Sequence, residues 1–295
     1  MPRTTILQAH ALLILACLAW GGSYAVGRFG LSDGSALWLT LWRWGPGAAV
    51  FMVYLIWTWS DHRNVILPAI PRLIFISALG VVIYPATLFL AVAQTTALNA
   101  SLYLAATPIM IALLSALVWD DRISGLRGLG IGLGLFGACV LVFRGSFSAA
   151  LNFEFATSDV WAILSALAWA GYCVSLPMKP KALGEVPFLS VLVVLGTVVL
   201  LVLAILSGES IPLPDSAQTA WSMIYFAVFP SVLAFLLWNW GTTQVGPATA
   251  APYNNLVPFF GGGLAVLFLG EAIESYHLVG GGLVIAGLVL NSLDQ

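Results

Sequence analysis

Apolar residues run along this chain in long blocks, and polar residues punctuate them. The blocks fall near residues 8–30, 35–59, 72–93, 98–118, 126–144, 159–178, 187–207, 218–242, 248–270 and 276–293. A hydrocarbon core about 30 Å thick takes roughly 20 apolar residues per helix, so each block predicts one membrane-spanning helix. Charges, prolines and glycines gather between the blocks, as SDHRN, WDDR, MKPKALGE and SGESIPLPDS. The junctions near Gln94–Leu98 and Gln244–Pro247 carry no charge. Transmembrane barrel strands would alternate apolar and polar positions over about ten residues, and that alternation is missing here. The expected fold is an all-α integral membrane protein with ten transmembrane helices and loops of a few residues.

The blocks repeat. Residues 14–22 read ILACLAWGG and residues 163–171 read ILSALAWAG. A shift of 150 carries Gln94 onto Gln244, Tyr103 onto Tyr253 and Pro108 onto Pro258. The same shift carries Gly130, Gly132, Leu133 and Gly137 onto Gly280, Gly282, Leu283 and Gly287, and Asp121 onto Glu271. The opening match is one residue out of register, as a single loop insertion or deletion makes it. The chain therefore divides into 1–146 and 155–295, each with five spans. Five is odd, so the second half enters the bilayer upside-down relative to the first. Inverted repeats of this kind serve alternating access in many secondary transporters.

Composition agrees. Charged residues make up 7% of the chain, against about 25% in soluble domains. The net charge of −2 argues against nucleic acid as a partner. Cys17, Cys139 and Cys173 lie in apolar runs with no metal-ligand spacing, so no metal or cofactor is expected. Arg3 before an Ala/Leu run has the form of a signal peptide, yet its near-copy at 163 marks both as retained spans. With the N-terminus inside, Arg3, Arg63, Arg72, Arg122, Arg127, Lys179 and Lys181 are cytoplasmic, and only Arg28 and Arg144 lie opposite. That bias places both termini in the cytoplasm.

The Trp20-Gly21-Gly22-Ser23 turn resembles the Trp-Gly-Ser opening of the drug/metabolite transporter superfamily, EamA type. Arg43 matches an arginine common in that family's second helix. Pro108 and Pro258, Gly270-Glu271 and the glycine-rich run at 280–287 resemble the Pro…Gly-Glu…Gly pattern that closes each EamA half. Asp120-Asp121 departs from Gly-Glu in the first half. The resemblance covers essentially the whole chain and implies a transporter in a bacterial inner membrane. Richness in Trp and Tyr is most similar to the bacterial aromatic amino acid exporters, which implies outward transport.

Substrate in such a carrier is expected near the midplane, between the halves. Asn99, Tyr103 and Thr107 share one face of the fourth span, and Thr249 and Tyr253, with Asn254 and Asn255 beside them, repeat that stripe in the ninth. Such stripes form either cavity walls or helix–helix hydrogen bonds. Trp20 and Tyr24 share a face of the first span, Trp169 sits on the matching face of the sixth, Tyr84 precedes Pro85 in the third, and Trp238 lies within the eighth. Aromatics at that depth are misplaced for the interfacial belt. They are either core packing or the wall of an apolar pocket with a few polar fixers. The substrate-cavity set is therefore Trp20, Tyr24, Tyr84, Asn99, Tyr103, Trp169, Trp238, Tyr253 and Asn254. Pro108 and Pro258 are expected to kink their helices as gates or as fixed bends. The paired glycines are expected to let the fifth and tenth helices pack closely, with a dimer contact as a second use. Trp38, Trp42, Trp57, Trp59 and Trp119 read as belt anchors. Arg43 is read either as a substrate-carboxylate partner or, more commonly for such an arginine, as paired with backbone carbonyls or snorkelling to the interface.

All twelve acidic residues map to loops or span ends, and the three histidines are peripheral. Proton coupling usually needs such a group at depth. The expected function is uncoupled facilitated transport or exchange of a small zwitterionic or apolar metabolite, an aromatic amino acid above all. The alternative is export of drugs or other amphipathic cations. Convergent catalytic groups are missing, so no enzyme is expected. Short loops and a two-fold repeat count against a channel. The expected partners are the substrate and the lipid bilayer, with the chain a monomer or weak homodimer.

Overall fold

The computed structural model describes residues 3–30, 35–95, 107–119, 125–148, 156–208, 216–245, 253–254 and 256–292. Regular structure within them is helical throughout. Helix α1 spans Arg3–Gly30, α2 Ala36–Trp57, α3 Trp59–Ser77 and α4 Tyr84–Gln94. A π-helical stretch, Ala78–Ile83, joins α3 to α4 without a break. Next come α5 (Thr107–Trp119), α6 (Gly125–Val142), α7 (Thr157–Ser175) and α8 (Glu185–Ser207). Helices α9 (Ala217–Phe226) and α10 (Ala234–Val245) flank a second π stretch, Ala227–Leu233, and α11 (Leu256–Leu269) and α12 (Ser275–Ser292) complete the described chain.

Among the described residues six helices are long and apolar enough to cross a membrane: Ile6–Gly27, Ala36–Trp57, Trp59–Gln94, Thr157–Met178, Glu185–Ser207 and Ala217–Thr242. They are the first three of each half. Ile109–Trp119, Gly128–Leu141 and Phe259–Leu269 are apolar but shorter. One expectation is corrected. The SDHRN segment is helix rather than loop, because α3 starts at Trp59, with Asp61 in its first turn. A carboxylate there suits the positive end of the helix dipole. At 1.5 Å per residue the 36 residues of Trp59–Gln94 reach about 54 Å, well beyond the hydrocarbon thickness, so its polar first turns project from the apolar zone.

Helix ends follow local chemistry. Ser35 Oγ accepts the Trp38 N–H at 3.4 Å and Ser216 Oγ the Thr219 N–H at 3.1 Å, each satisfying a donor that the helix start leaves free. The Asp159 carboxylate accepts the Ala156 N–H at 3.0 Å ahead of α7. Gly208 closes α8 in the left-handed region, at φ 66°, where only glycine sits without strain.

The two halves pack by exchanged rules. Helix α1 lies on α10 and α11, while its counterpart α7 lies on α4 and α5. Helix α2 meets the second π stretch and α8 meets the first. The glycines show why. A Cβ at Gly47 would stand 2.8 Å from Val232, and one at its repeat mate Gly196 2.4 Å from Val81. Helices α6 and α12 seat on each other through a mirrored seam. A Cβ at Gly137 would meet Gly280 O at 2.7 Å, and one at Gly287 would meet Gly130 O at 2.4 Å. Bare backbone faces let the helices approach this closely, the main source of association where lipid is as apolar as the side chains. The paired glycines thus serve contact within the chain.

One large core, built from α1 through α4, α7, α8, α10 and α11, holds most of the buried aromatics, while Phe89 and Phe226 pair in a smaller cluster. Outward faces are apolar too, with Val50, Val53 and Ile56 on α2, Ile205 and Leu206 on α8 and Leu267 and Phe268 on α11 all exposed. Such surfaces suit lipid rather than water.

Candidate functional site

Trp20 of α1 and its repeat mate Trp169 of α7 touch edge to face, with ring centroids 5.3 Å apart. Residues related by the repeat can meet only where the halves come together, so this pair marks that junction. Rings gather around it from both halves. Trp238 lies 5.3 Å from Trp20, Tyr84 5.0 Å from Trp169, Tyr172 5.2 Å from Trp169, and Phe235 5.5 Å from Trp20. Trp44 closes the group, 5.1 Å from Phe235. Edge-to-face and offset pairs are each worth about 0.5–1.5 kcal/mol beyond simple burial.

Arg43 stands against this cluster. It has no exposed surface, and its guanidinium lies 5.5 Å from the Trp44 ring and 5.8 Å from the Tyr84 ring. Counting from Ala36 it is about 10 Å along α2. Its Nη2 donates to Pro230 O at 3.4 Å, while Nε and Nη1 have no partner. Among the described residues it forms no ion pair. Tyr24, Tyr84 and Tyr225 are the groups that share its electrostatic surroundings, and the Tyr84 hydroxyl is within hydrogen-bonding reach of the guanidinium. The hydroxyls of Tyr24 and Tyr172 and the indole N–H of Trp169 are likewise buried without a partner among the described residues.

Backbone irregularity sits beside these side chains. In the second π stretch the Ala234 N–H reaches back five residues to Phe229 O, passing over Pro230 O. The Pro230 carbonyl accepts Trp20 Nε1–H at 2.9 Å together with Arg43. In the first π stretch the Tyr84 N–H makes the equivalent reach to Leu79 O, and Ser165 Oγ of α7 donates to Tyr84 O at 3.0 Å. Each half thus extends a donor from its first helix to a carbonyl at the other half's π stretch. Single-turn π insertions are frequent at functional sites.

Of the expected cavity residues, Trp20, Tyr84, Trp169 and Trp238 come together in the cluster, and Tyr24 is buried near Arg43. Tyr253 lies elsewhere, stacked on His10 with its hydroxyl 2.7 Å from Nδ1. Asn254 is buried with its side-chain oxygen unpartnered. Asn99 and Tyr103 lie outside the described residues. Pro108 and Pro258 stand in the first turn of the described parts of α5 and α11, and residues 101–106 before the first and 255 before the second lie outside the described residues. Trp38 is buried in the core rather than free as a belt anchor, while Trp57 is largely exposed. The cluster also holds Trp44, Tyr172 and Phe235, which the expected set lacks. Tyr172 and Phe235 sit one turn from Trp169 and Trp238, and helical spacing alone points to them.

The rings fill the space between the halves, and open volume lies to the side. A cavity of about 620 Å³ beside α1 is lined by Ala19, Gly22, Val26, Tyr225, Phe229 and Phe268 among others. The Tyr225 hydroxyl donates to Ala19 O at 2.7 Å and so pins its wall. Another, of about 440 Å³, lies between α2 and α8 against Trp38, Trp42 and Thr197. The described carboxylates keep to helix starts and connections. Glu185, in the first turn of α8, pairs with Lys179.

Comparison with known proteins places this arrangement. One family model, the EamA-like transporter family, matches the chain twice, over residues 7–143 and 156–293. An uncharacterized transporter of Archaeoglobus fulgidus is 27% identical over 294 residues, covering 98% of both chains. A probable terminal-alkyne amino-acid exporter of Streptantibioticus cattleyicolor is 25% identical over 284 residues, 94% of this chain and 91% of that one. A solved crystal structure superposes with a TM-score of 0.68 at 19% identity over 97% of this chain and 96% of the other, a likeness of fold. With both matches falling on halves that pack by exchanged contacts, this membrane-embedded chain belongs to the EamA-like transporter family, whose members are transporters of small molecules and not enzymes.

Proposed function

We propose that the chain is a secondary transporter that moves a small zwitterionic or apolar metabolite outward across a bacterial inner membrane, an aromatic amino acid in the first instance. Ten spans in two inverted five-helix repeats, residues 1–146 and 155–295, rock about their junction, with both termini cytoplasmic and the chain a monomer or weak homodimer. The observation that carries this is the junction itself, where Trp20 meets Trp169 and both halves contribute rings around one buried cation. Ring on ring, the cluster is a site in its collapsed form, and a flat apolar substrate takes the place of contacts the rings now make with each other. Paired π stretches beside it supply carbonyls that can change partner as the halves move. The exporter named for an amino acid among the relatives favours the same substrate class. A buried arginine counts against an amphipathic cation as the cargo.

Transport is uncoupled, because the described carboxylates stay at helix ends. The test is counterflow in proteoliposomes preloaded with unlabelled phenylalanine and offered labelled phenylalanine or tryptophan, with no pH gradient. Saturable exchange is expected, lowered at least ~10-fold by Trp169→Ala, the equivalent of losing one or two ring contacts. Accumulation driven by a pH gradient alone would overturn the uncoupled mechanism, and no exchange at all would overturn the amino-acid assignment.

A further inference from the structure

The buried guanidinium of Arg43 has more donors than partners. Of its five N–H groups, one on Nη2 meets the carbonyl of Pro230 at 3.4 Å, and those on Nε and Nη1 have no partner. The Tyr84 hydroxyl is a hydrogen-bonding neighbour of the same guanidinium. Nothing anionic stands near it among the described residues. A charge at this depth without a counter-ion is costly and, in membrane proteins, marks a functional position. The internal repeat sharpens the point. A shift of 149 carries Trp20 onto Trp169, Gly47 onto Gly196 and Arg43 onto Leu192. The second half therefore builds the same helix, on the same glycine contact, with a fully buried leucine. The repeated helix packing by itself does not call for an arginine at this position.

We propose that Arg43 is the anchor for a carboxylate on the transported molecule, which makes the substrate class a small carboxylic acid carrying an apolar, ring-sized group. A carboxylate is planar and matches the guanidinium fork with two parallel hydrogen bonds, a geometry no single carbonyl offers. The Trp44 and Tyr84 rings flank the guanidinium and give the rest of the molecule an apolar wall. The unpartnered Tyr24 hydroxyl is a further donor close to the same charge.

The position also links binding to movement. Arg43 belongs to the first half and Pro230 to the second, so a carboxylate that takes over the guanidinium releases a contact between halves. Three residues beyond Arg43, Pro46 has no N–H to return to Trp42 O, and Gly47 seats against Val232. The helix is thus weakest one turn from the anchor, where it must flex to follow the exchange of partners.

The inference rests on the transport reading for its setting, but its test separates the two. Purified full-length protein is titrated with 3-phenylpropionate, phenylalanine, phenylalanine amide and phenethylamine, reading tryptophan fluorescence and thermal stabilisation in detergent, for wild type, Arg43→Leu and Arg43→Lys. Both acids should bind at least ~10-fold more tightly than the amide or the amine. Arg43→Leu, which copies the repeat mate, should remain as thermostable as wild type and lose the acids. Arg43→Lys should keep part of the affinity, since a point charge replaces the fork. Amide and amine binding as tightly as the acids, or undiminished acid binding by a folded Arg43→Leu, would overturn the proposal. Loss of folding in Arg43→Leu would do so as well, by showing the arginine to be structural. If acids bind through Arg43 but no amino acid exchanges in liposomes, the anchor stands and the amino-acid reading falls.

Discussion

Placing a methyl group at Gly287 tests whether the α6–α12 seam holds the halves together. Its Cβ would stand 2.4 Å from Gly130 O and 2.8 Å from Gly134 N. Ordinary contact for a Cβ begins near 3.4 Å, so the helices must part locally by about 1 Å. A gap of that size forfeits a quarter to a half of each dispersion contact, worth about 0.1–0.2 kcal/mol per atom pair. With some tens of pairs along a glycine seam the loss is on the order of 2 kcal/mol, within the ~1–3 kcal/mol typical of overpacking. Alanine recovers about 1 kcal/mol of helix propensity, leaving Gly287→Ala about 1 kcal/mol less stable than wild type. Gly282, on the same helix, has nothing within 4 Å of where an added methyl would stand, so Gly282→Ala should gain up to about 1 kcal/mol. The contrast of about 2 kcal/mol is read by reversible SDS unfolding in mixed micelles, followed by far-ultraviolet circular dichroism. Gly287→Ala at least as stable as Gly282→Ala would refute the seam. Gly137→Ala, whose Cβ would meet Gly280 O at 2.7 Å, should behave like Gly287→Ala, because the two contacts are images of each other in the repeat.

Three smaller effects are expected in the same unfolding assay. Trp20→Phe removes the 2.9 Å donor to Pro230 O and should cost about 1 kcal/mol, with exchange altered because the carbonyl is left to Arg43. Tyr225→Phe removes the 2.7 Å bond to Ala19 O and should cost about 0.6 kcal/mol, the average for interhelical hydrogen bonds in membranes, and no more than about 1.7 kcal/mol. Lys179→Ala breaks the pair with Glu185 at a partly exposed helix start and should change stability by less than ~1 kcal/mol, with the difference shrinking further in high salt.

Part of the aromatic cluster is legible in the sequence because aromatics inside apolar blocks stand out. Depth and repeat position single out Trp20, Tyr84, Trp169 and Trp238, and all four meet in the cluster. Tyr253 matches Tyr103 in the repeat but lies against His10, since spacing along a helix says which face a residue shares and not which neighbour that face meets. Trp38 has the place of an interfacial residue near a span end and is instead buried against the core. The charges of SDHRN suggest a loop, yet helix α3 runs through the segment, because a helix longer than the bilayer can carry polar turns outside it.

Membrane residence and the two-fold repeat were determined by the sequence alone, because apolar block length and residue identity at a fixed offset survive without any three-dimensional information. The tertiary structure decided the rest. Only when α2 is laid on the opposite half's π stretch does Arg43 prove to have fewer partners than donors and no counter-ion among the described residues. Only the seating of α12 on α6 assigns the paired glycines to contact within the chain. Burial, pairing and the donors left over are properties of neighbours far apart along the chain, and no local pattern encodes them.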